Sequence, residues 1–158
     1  MAQTTGGMPR SGFKVEVSTN GSDWTDISGA AATVAPSGGD QLTGEQNTAD
    51  GSAPVVVGSN KVGARTLEVN CLYTETAGEP WKIVSNRYNG AVKTIYLRYS
   101  PAGGGQGAQR FVCARNDDTA VAVPIVNCLP PEVDAGSGDP AMFTFSVITP
   151  KLKEETIA

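Results

Sequence analysis

The chain contains no histidine, and this absence removes several kinds of chemistry at once. Ser–His–Asp and Cys–His nucleophile pairs, HExxH metal sites and imidazole acid–base catalysis all depend on that side chain. Cysteine is also scarce, because Cys71, Cys113 and Cys128 are odd in number, widely spaced and outside any CxxC pair. Three isolated thiols have no zinc-site spacing, so we expect reduced cysteines packed as small apolar residues.

The sequence also has few charged residues and no long apolar run. Only 18% of the 158 residues are charged, with 12 basic against 16 acidic side chains. This balance argues against a nucleic-acid-binding surface, which normally shows a basic patch. No apolar run reaches the roughly 18 residues of a membrane span, and "MAQTTGGMPRSG" lacks the apolar segment of a signal peptide. The sequence therefore predicts a chain with no membrane anchor that is made and kept in the cytoplasm.

The motifs that come nearest to chemistry each have a simpler interpretation. "AGGGQGAQ" lacks the GK[ST] ending of a phosphate loop and is followed by no helix signal, which favours a hairpin turn. Asn116–Asp118 has no further acidic ligand at calcium-loop spacing, which indicates a solvated turn. Trp24 and Trp81 could stack on a sugar, but few aromatics accompany them, so core packing is favoured. We expect no catalytic residue, no cofactor and no metal, and hence no enzyme.

The patterned part of the chain predicts β-strands. Phe13, Val15 and Val17 alternate with polar residues before the turn at Asn20-Gly21, which indicates a hairpin that returns near Trp24. Six further strands are predicted. One is the short apolar run Val55–Val57, and two are "QRFVCARN" and "TAVAVPIVN", the latter with Pro124 at an edge or bulge. The other three alternate clearly, with the inward-facing residues Leu67, Val69, Cys71 and Tyr73; Ile95, Leu97 and Tyr99; and Phe143, Phe145 and Val147.

One segment has helical spacing instead. Trp81, Val84 and Tyr88 lie on one face, Pro80 suits a first helical turn and Gly90 suits the exit. The predicted fold is therefore mainly β, a β-sandwich or open barrel with one short α-helix packed against it. We divide the chain into an N-terminal arm (1–12), a β domain (13–150) and a polar C-terminal tail (151–158).

Residues 29–54 lack any clear pattern and predict a long inter-strand loop. Connections longer than about 12–15 residues are uncommon in compact domains, and this one is about twice that length. It carries Asp40, Glu45 and Asp50 with no basic residue before Lys61. Because it is polar and long enough to reach a neighbour, we expect the part from Pro36 to Pro54 to be mobile in the free subunit and to contact another subunit or ring. The residues that we assign to this contact are Gly38, Asp40, Glu45 and Asp50.

The order of elements resembles the major tail-tube protein of a long-tailed, siphovirus-like bacteriophage. The resemblance rests on the helix-then-strand block Glu79 to Ser100, which contains "EPWKIVSNRYNG", and on the closing block Asp134 to Pro150, which contains "SGDPAMFTFSVITP". It implies hexameric rings whose inner sheets join into a β-barrel, and stacked rings that form a conduit for DNA ejection. It further implies a virion location after assembly in the host cytoplasm. The implied partners are further copies of the chain, the tape-measure, tail-tip and terminator proteins, and DNA that passes through without specific binding.

A channel that passes DNA quickly should not be basic, because each neutralised phosphate releases counterions and holds the DNA. We therefore expect an acidic or neutral lining, with Glu68 as the first candidate to face the lumen. Glu16 is a second candidate, although Lys14 on the same face would offset its charge. Two other functions remain open: another ring-forming virion component, such as a tail terminator or capsid decoration protein, and a carbohydrate-binding β-sandwich module.

Overall fold

The computed structural model describes all 158 residues, and its elements are mainly strands. In chain order they are β1 (Lys14–Ser18), β2 (Thr25–Asp26), β3 (Ala31–Gly38), β4 (Gln41–Gln46), β5 (Val55–Val62), β6 (Arg65–Leu72), α1 (Pro80–Tyr88), β7 (Thr94–Ser100), β8 (Gln109–Ala114), β9 (Val123–Leu129), β10 (Met142–Thr149) and β11 (Lys151–Thr156). The predicted fold class, a mainly β sandwich with one short helix, is confirmed.

Two antiparallel layers form the body. The first, sheet A, has the order β2-β1-β7-β8-β11, and the second, sheet B, has the order β9-β10-β6-β3. The layers join where the start of β7 pairs with β9, at Thr94↔Pro124 and Ile95↔Val123. Beyond this junction the sandwich stays open on the side where β3 forms the edge of sheet B.

The core lies between the layers and consists of the residues that the alternation predicted to face inward. Val15, Val17 and Leu97 from sheet A meet Leu67 and Phe145 from sheet B, and each of these is fully buried. Because successive side chains on a strand point to opposite faces, the residues between them form the two outer faces of the sandwich. The fold therefore presents two solvent-facing sheet surfaces on opposite sides of one core.

The predicted helix is confirmed as α1, with Pro80 in its first turn. Val84 is fully buried against the two layers, and α1 contacts both β7 and β9 at their junction. The Trp81 ring packs on Phe143 at 5.1 Å and on Tyr73 at 5.3 Å between ring centroids. The helix thus covers the joined side of the sandwich and leaves the β3 side uncovered. No helix is long and apolar enough to cross a membrane.

Two predicted irregular segments are in fact ordered. Residues 29–54 are not one long loop, because they contain β3, which pairs along β6, and β4, which pairs with β5. The polar tail 151–158 contains β11, which pairs along β8 at the edge of sheet A. Both segments are rich in small or polar residues and show no apolar alternation. Their strands are therefore defined by backbone hydrogen bonds to neighbouring strands. Residues 1–12 contain neither helix nor strand and are exposed, as expected for an arm.

Candidate functional site

The most unusual feature is a hairpin, β4–β5, that projects from the body. Every residue of both strands is exposed, and the two strands contact each other far more than any other element. The hairpin continues the β3–β6 pair through a hinge, where the Gly39 amide donates to the Ala64 carbonyl at 3.1 Å and the Gly63 amide donates to the Asp40 carbonyl at 3.0 Å. An element that buries nothing of its own in the monomer has a surface free for another molecule.

One face of the hairpin is more apolar than the other, which is mixed. The register pairs Gly44 with Val57 and Gln46 with Val55, so alternation places Leu42, Val55 and Val57 on the apolar face. The mixed face carries Gln41, Thr43 and Glu45 together with Val56 and Val62. Sequence reasoning placed a strand at Val55–Val57, but an apolar run of this kind usually indicates a buried strand. Here all three valines are more than half exposed. The unpartnered apolar face is the part of the site that the sequence alone did not reveal.

The residues assigned to an inter-subunit contact lie along this hairpin and its hinge. Gly38 ends β3, Asp40 lies in the hinge, Glu45 lies in β4, and Asp50 lies in the turn at the tip. All four are exposed, and their spacing spreads the acidic charge over the length of the hairpin instead of collecting it in one patch. Whether they contact a second subunit stays a prediction.

Glu68 and Glu16, the two candidates for a lumen-facing carboxylate, lie on opposite sides of the molecule. Glu68 is exposed on the outer face of sheet B, opposite the buried Leu67 and Val69. Glu16 lies on the outer face of sheet A, opposite the buried Val15 and Val17. The two faces point away from one core, so they cannot line the same side of a channel.

The two outer faces also differ in charge. Glu68 is surrounded across the strands by the small or polar residues Ala35 and Ser146, and it makes no ion pair. On sheet A, Glu16 accepts a hydrogen bond from Arg98 Nε at 2.6 Å and lies 3.2 Å from Lys14 Nζ. Burial alone would raise the pKa of Glu16, but the hydrogen bonds and charges of Arg98 and Lys14 hold that pKa below its usual value of 4.5. Glu155 likewise lies against two bases, Arg110 and Lys153, so the outer face of sheet A has an excess of positive charge. Sheet B instead presents a nearly uncharged surface with one free carboxylate.

Neither tryptophan is free to stack on a sugar. The Arg98 guanidinium lies 3.9 Å from the Trp24 ring centroid, and Tyr96 packs against the same indole edge-on at 6.4 Å. Trp81 packs between Tyr73 and Phe143 beside the core. The prediction of core packing is confirmed for Trp81. It is wrong for Trp24, which packs on Arg98 and Tyr96 at the outer face of sheet A. A carbohydrate-binding face gains no support from either ring.

The cysteines are free thiols, as predicted. Cys71 and Cys113 are buried on core-facing positions, and Cys128 is half-buried. Burial raises the pKa of Cys71 and of Cys113 to about 12, and that of Cys128 to about 11. Thiols with pKa values this high carry little thiolate at neutral pH, so they act as packing groups and not as nucleophiles.

Comparison with known proteins finds the fold of this chain in solved structures only. No protein-family model matches the chain, and no curated protein matches it in sequence. Solved structures do match. A chain of the sheath–tube complex of an extracellular contractile injection system, PVC, in its extended state aligns with a TM-score of 0.64 and 14% identity, over 97% of this chain and 94% of that one.

Two further structures extend the likeness. A chain of the tube-terminating cap of the anti-feeding prophage, AFP, aligns with a TM-score of 0.60 and 14% identity, over 99% of this chain and 95% of that one. A chain of the tail of an empty GTA particle, refined with C6 symmetry, aligns with a TM-score of 0.50 and 9% identity, over 99% and 100%. At these identities the likeness shows the fold, which this chain shares with components of contractile injection systems and GTA tails along almost its whole length.

Proposed function

We propose that this chain is the non-catalytic subunit of a phage-like tail tube, which assembles into hexameric rings that stack around a channel. The observation that carries the proposal is the full-length fold likeness to a chain of a sheath–tube complex, together with chains of the AFP baseplate, which was 6-fold symmetrised, and of a GTA tail refined with C6 symmetry. The free edges of the sandwich are consistent with it, because β3 and β11 each pair on one side only. Unpaired strand edges are a liability in a monomer and become interfaces in a ring.

In this proposal the β4–β5 hairpin bridges subunits or rings, and the outer face of sheet B, with Glu68, lines the channel. DNA passes through this channel during ejection. The partners are the tape-measure, tail-tip and terminator proteins, and the chain is located in the tail of the virion. The more specific assignment to a long-tailed, siphovirus-like phage rests on the sequence resemblance, whereas the similar structures given above come from contractile systems and a GTA particle.

A second candidate is a terminator or cap that closes a tube as a single ring. It is favoured by the likeness to a chain of the PVC sheath/tube terminator structure, with a TM-score of 0.64 and 14% identity, and by the AFP cap match.

Electron microscopy of the purified protein separates the two candidate functions. We expect tubes with a central hole at high protein concentration or after seeding with a tail-tip complex. Single rings that never stack would favour the terminator, and a strictly monomeric protein under all these conditions would overturn both.

A further inference from the structure

A groove runs along the open side of the sandwich, next to the free edge of β3. It has a volume of about 640 Å³, and it is lined by the apolar side chains of Met8, Phe13, Val34 and Tyr99, together with Ala31 and Ala32. Phe13, Val34 and Tyr99 are half-buried extensions of the core, so the groove is an opening toward apolar interior and not a polar surface dimple. Its single charged lining residue is Arg10.

We infer that this groove receives the apolar face of the β4–β5 hairpin from a second copy of the chain. The inference rests on the proposed function and names the surface that the bridging hairpin contacts. Leu42, Val55 and Val57 present an exposed apolar face about 14 Å long, because Leu42 lies four residues at ~3.4 Å each from Gln46, the partner of Val55. The Ala31–Val34 wall of the groove is about 10 Å long by the same rise, so it can receive the pair Val55 and Val57, which are about 7 Å apart, on a surface that is also apolar.

Charge favours docking of the hairpin in this groove over docking in the other large cavity. Residues 39–63 carry the acidic Asp40, Glu45 and Asp50 against the single base Lys61, whereas the groove carries only Arg10. The other large cavity, about 780 Å³ in volume beside the β9–β10 connection, is lined by three acids and no base: Glu132, Asp134 and Asp139. An acidic hairpin is attracted to the first surface and repelled by the second.

The occupant is another copy because the chain's own hairpin points away. The groove lies at the start of β3, at Ala31–Val34, whereas the hairpin leaves from the other end of the same strand at Gly38. The hinge is closed by backbone hydrogen bonds on both sides, so the hairpin cannot fold back without breaking them. A contact from one end of a subunit to the other end of the next is heterologous, and contacts of this kind generate rings or open-ended stacks.

Disulfide trapping in the full-length chain tests the inference. All variants carry Cys128→Ser, because the remaining Cys71 and Cys113 are buried. One preparation carries Ala32→Cys in the groove and the other carries Val57→Cys on the apolar face of the hairpin, and the two are mixed so that the heterodimer can only be intermolecular. The matched control replaces Val57→Cys by Val56→Cys, since Val56 and Val57 are 63% and 62% exposed but face opposite sides.

We expect the Val57→Cys and Ala32→Cys pair to give at least about tenfold more heterodimer than the control, because a docked pair reacts at an effective concentration near mM. Mass spectrometry identifies the linked peptides, and Arg10→Glu should lower the yield. If rings or tubes form without excess heterodimer, the groove assignment is overturned and the proposed function stands. The hairpin would then dock elsewhere on the subunit or on another protein. An excess without any ring supports the docking surface and counts against the proposed function. If neither excess heterodimer nor rings or tubes form, both the groove assignment and the proposed function are contradicted.

Discussion

Gly38 occupies a backbone position that other residues tolerate poorly. Its φ is +79°, and a Cβ built there would lie 2.6 Å from the Ala64 carbonyl oxygen, which is backbone of the connection between β5 and β6. Gly39 follows with φ +77°. Two successive residues in the left-handed region turn the chain sharply between β3 and β4, and only glycine adopts that conformation without cost. The direction of the whole hairpin is thus determined by one or two residues.

Gly38→Ala should therefore misdirect the hairpin without unfolding the body. The substitution costs about 1–2 kcal/mol locally from the left-handed conformation alone, plus the clash with Ala64. We expect circular dichroism and thermal unfolding close to those of the unmodified chain, but loss of rings or tubes in electron micrographs. Gly63→Ala is the matched control, because Gly63 lies in the same hinge without a left-handed φ, and its built Cβ meets only the Asp40 carbonyl oxygen at 3.7 Å. Normal tubes from Gly38→Ala would show that the hinge geometry is dispensable.

At the scale of elements, sequence reasoning succeeded wherever a segment buries an apolar face. The spacing of Trp81, Val84 and Tyr88 predicted α1, and alternation predicted the core faces of β6, β7 and β10, because burial against the core imposes a period on the sequence. It failed for β3, β4 and β11. In β3 and β4 almost every side chain is exposed, so the only force that defines them in the monomer is backbone pairing, which leaves no side-chain period to detect.

The hairpin as an element should be necessary for assembly and unnecessary for folding. A deletion of Gly38–Gly51 would remove β4 and leave β5 unpaired, so a cleaner variant replaces Asp40–Gly63 by Asn-Gly, which suits a two-residue turn between Gly39 and Ala64. Because the hairpin contributes nothing to the core, we expect the midpoint of thermal unfolding to change by only a few degrees, or about 1 kcal/mol or less. Sedimentation should show a monomer at concentrations where the unmodified chain forms rings. Tubes from the shortened chain would contradict the bridging role.

At the scale of the whole molecule, the two outer faces are suited to different surroundings. Sheet A carries an excess of positive charge, because two of its carboxylates each pair with two bases: Glu16 with Arg98 and Lys14, and Glu155 with Arg110 and Lys153. The outer face of sheet B has Glu68 as its one charged side chain, with small and polar neighbours such as Ala35 and Ser146. Exposed apolar side chains lie farther out on the same face, among them Leu72, Leu129 and Ile148. A sliding polyanion is neither held by such a face nor strongly repelled, since one carboxylate acts over only about 8 Å at physiological salt. This asymmetry is the physical reason to assign sheet B to the channel and sheet A to the exterior.

Accessibility of single cysteines in assembled tubes tests that assignment. Glu68→Cys lies on the sheet B face, and Lys153→Cys lies on the sheet A face, where Lys153 is partly exposed at the β11 edge. In the monomer both should react with a small maleimide and with one attached to a large polymer. In tubes with capped ends we expect the polymer reagent to label Lys153→Cys but not Glu68→Cys, because the channel wall excludes it, and a cryo-EM map should show the Glu68 side chain at the lumen. Equal labelling of both positions, or a lumen lined by lysine and arginine with Glu68 outside, would reverse the assignment of the two sheets.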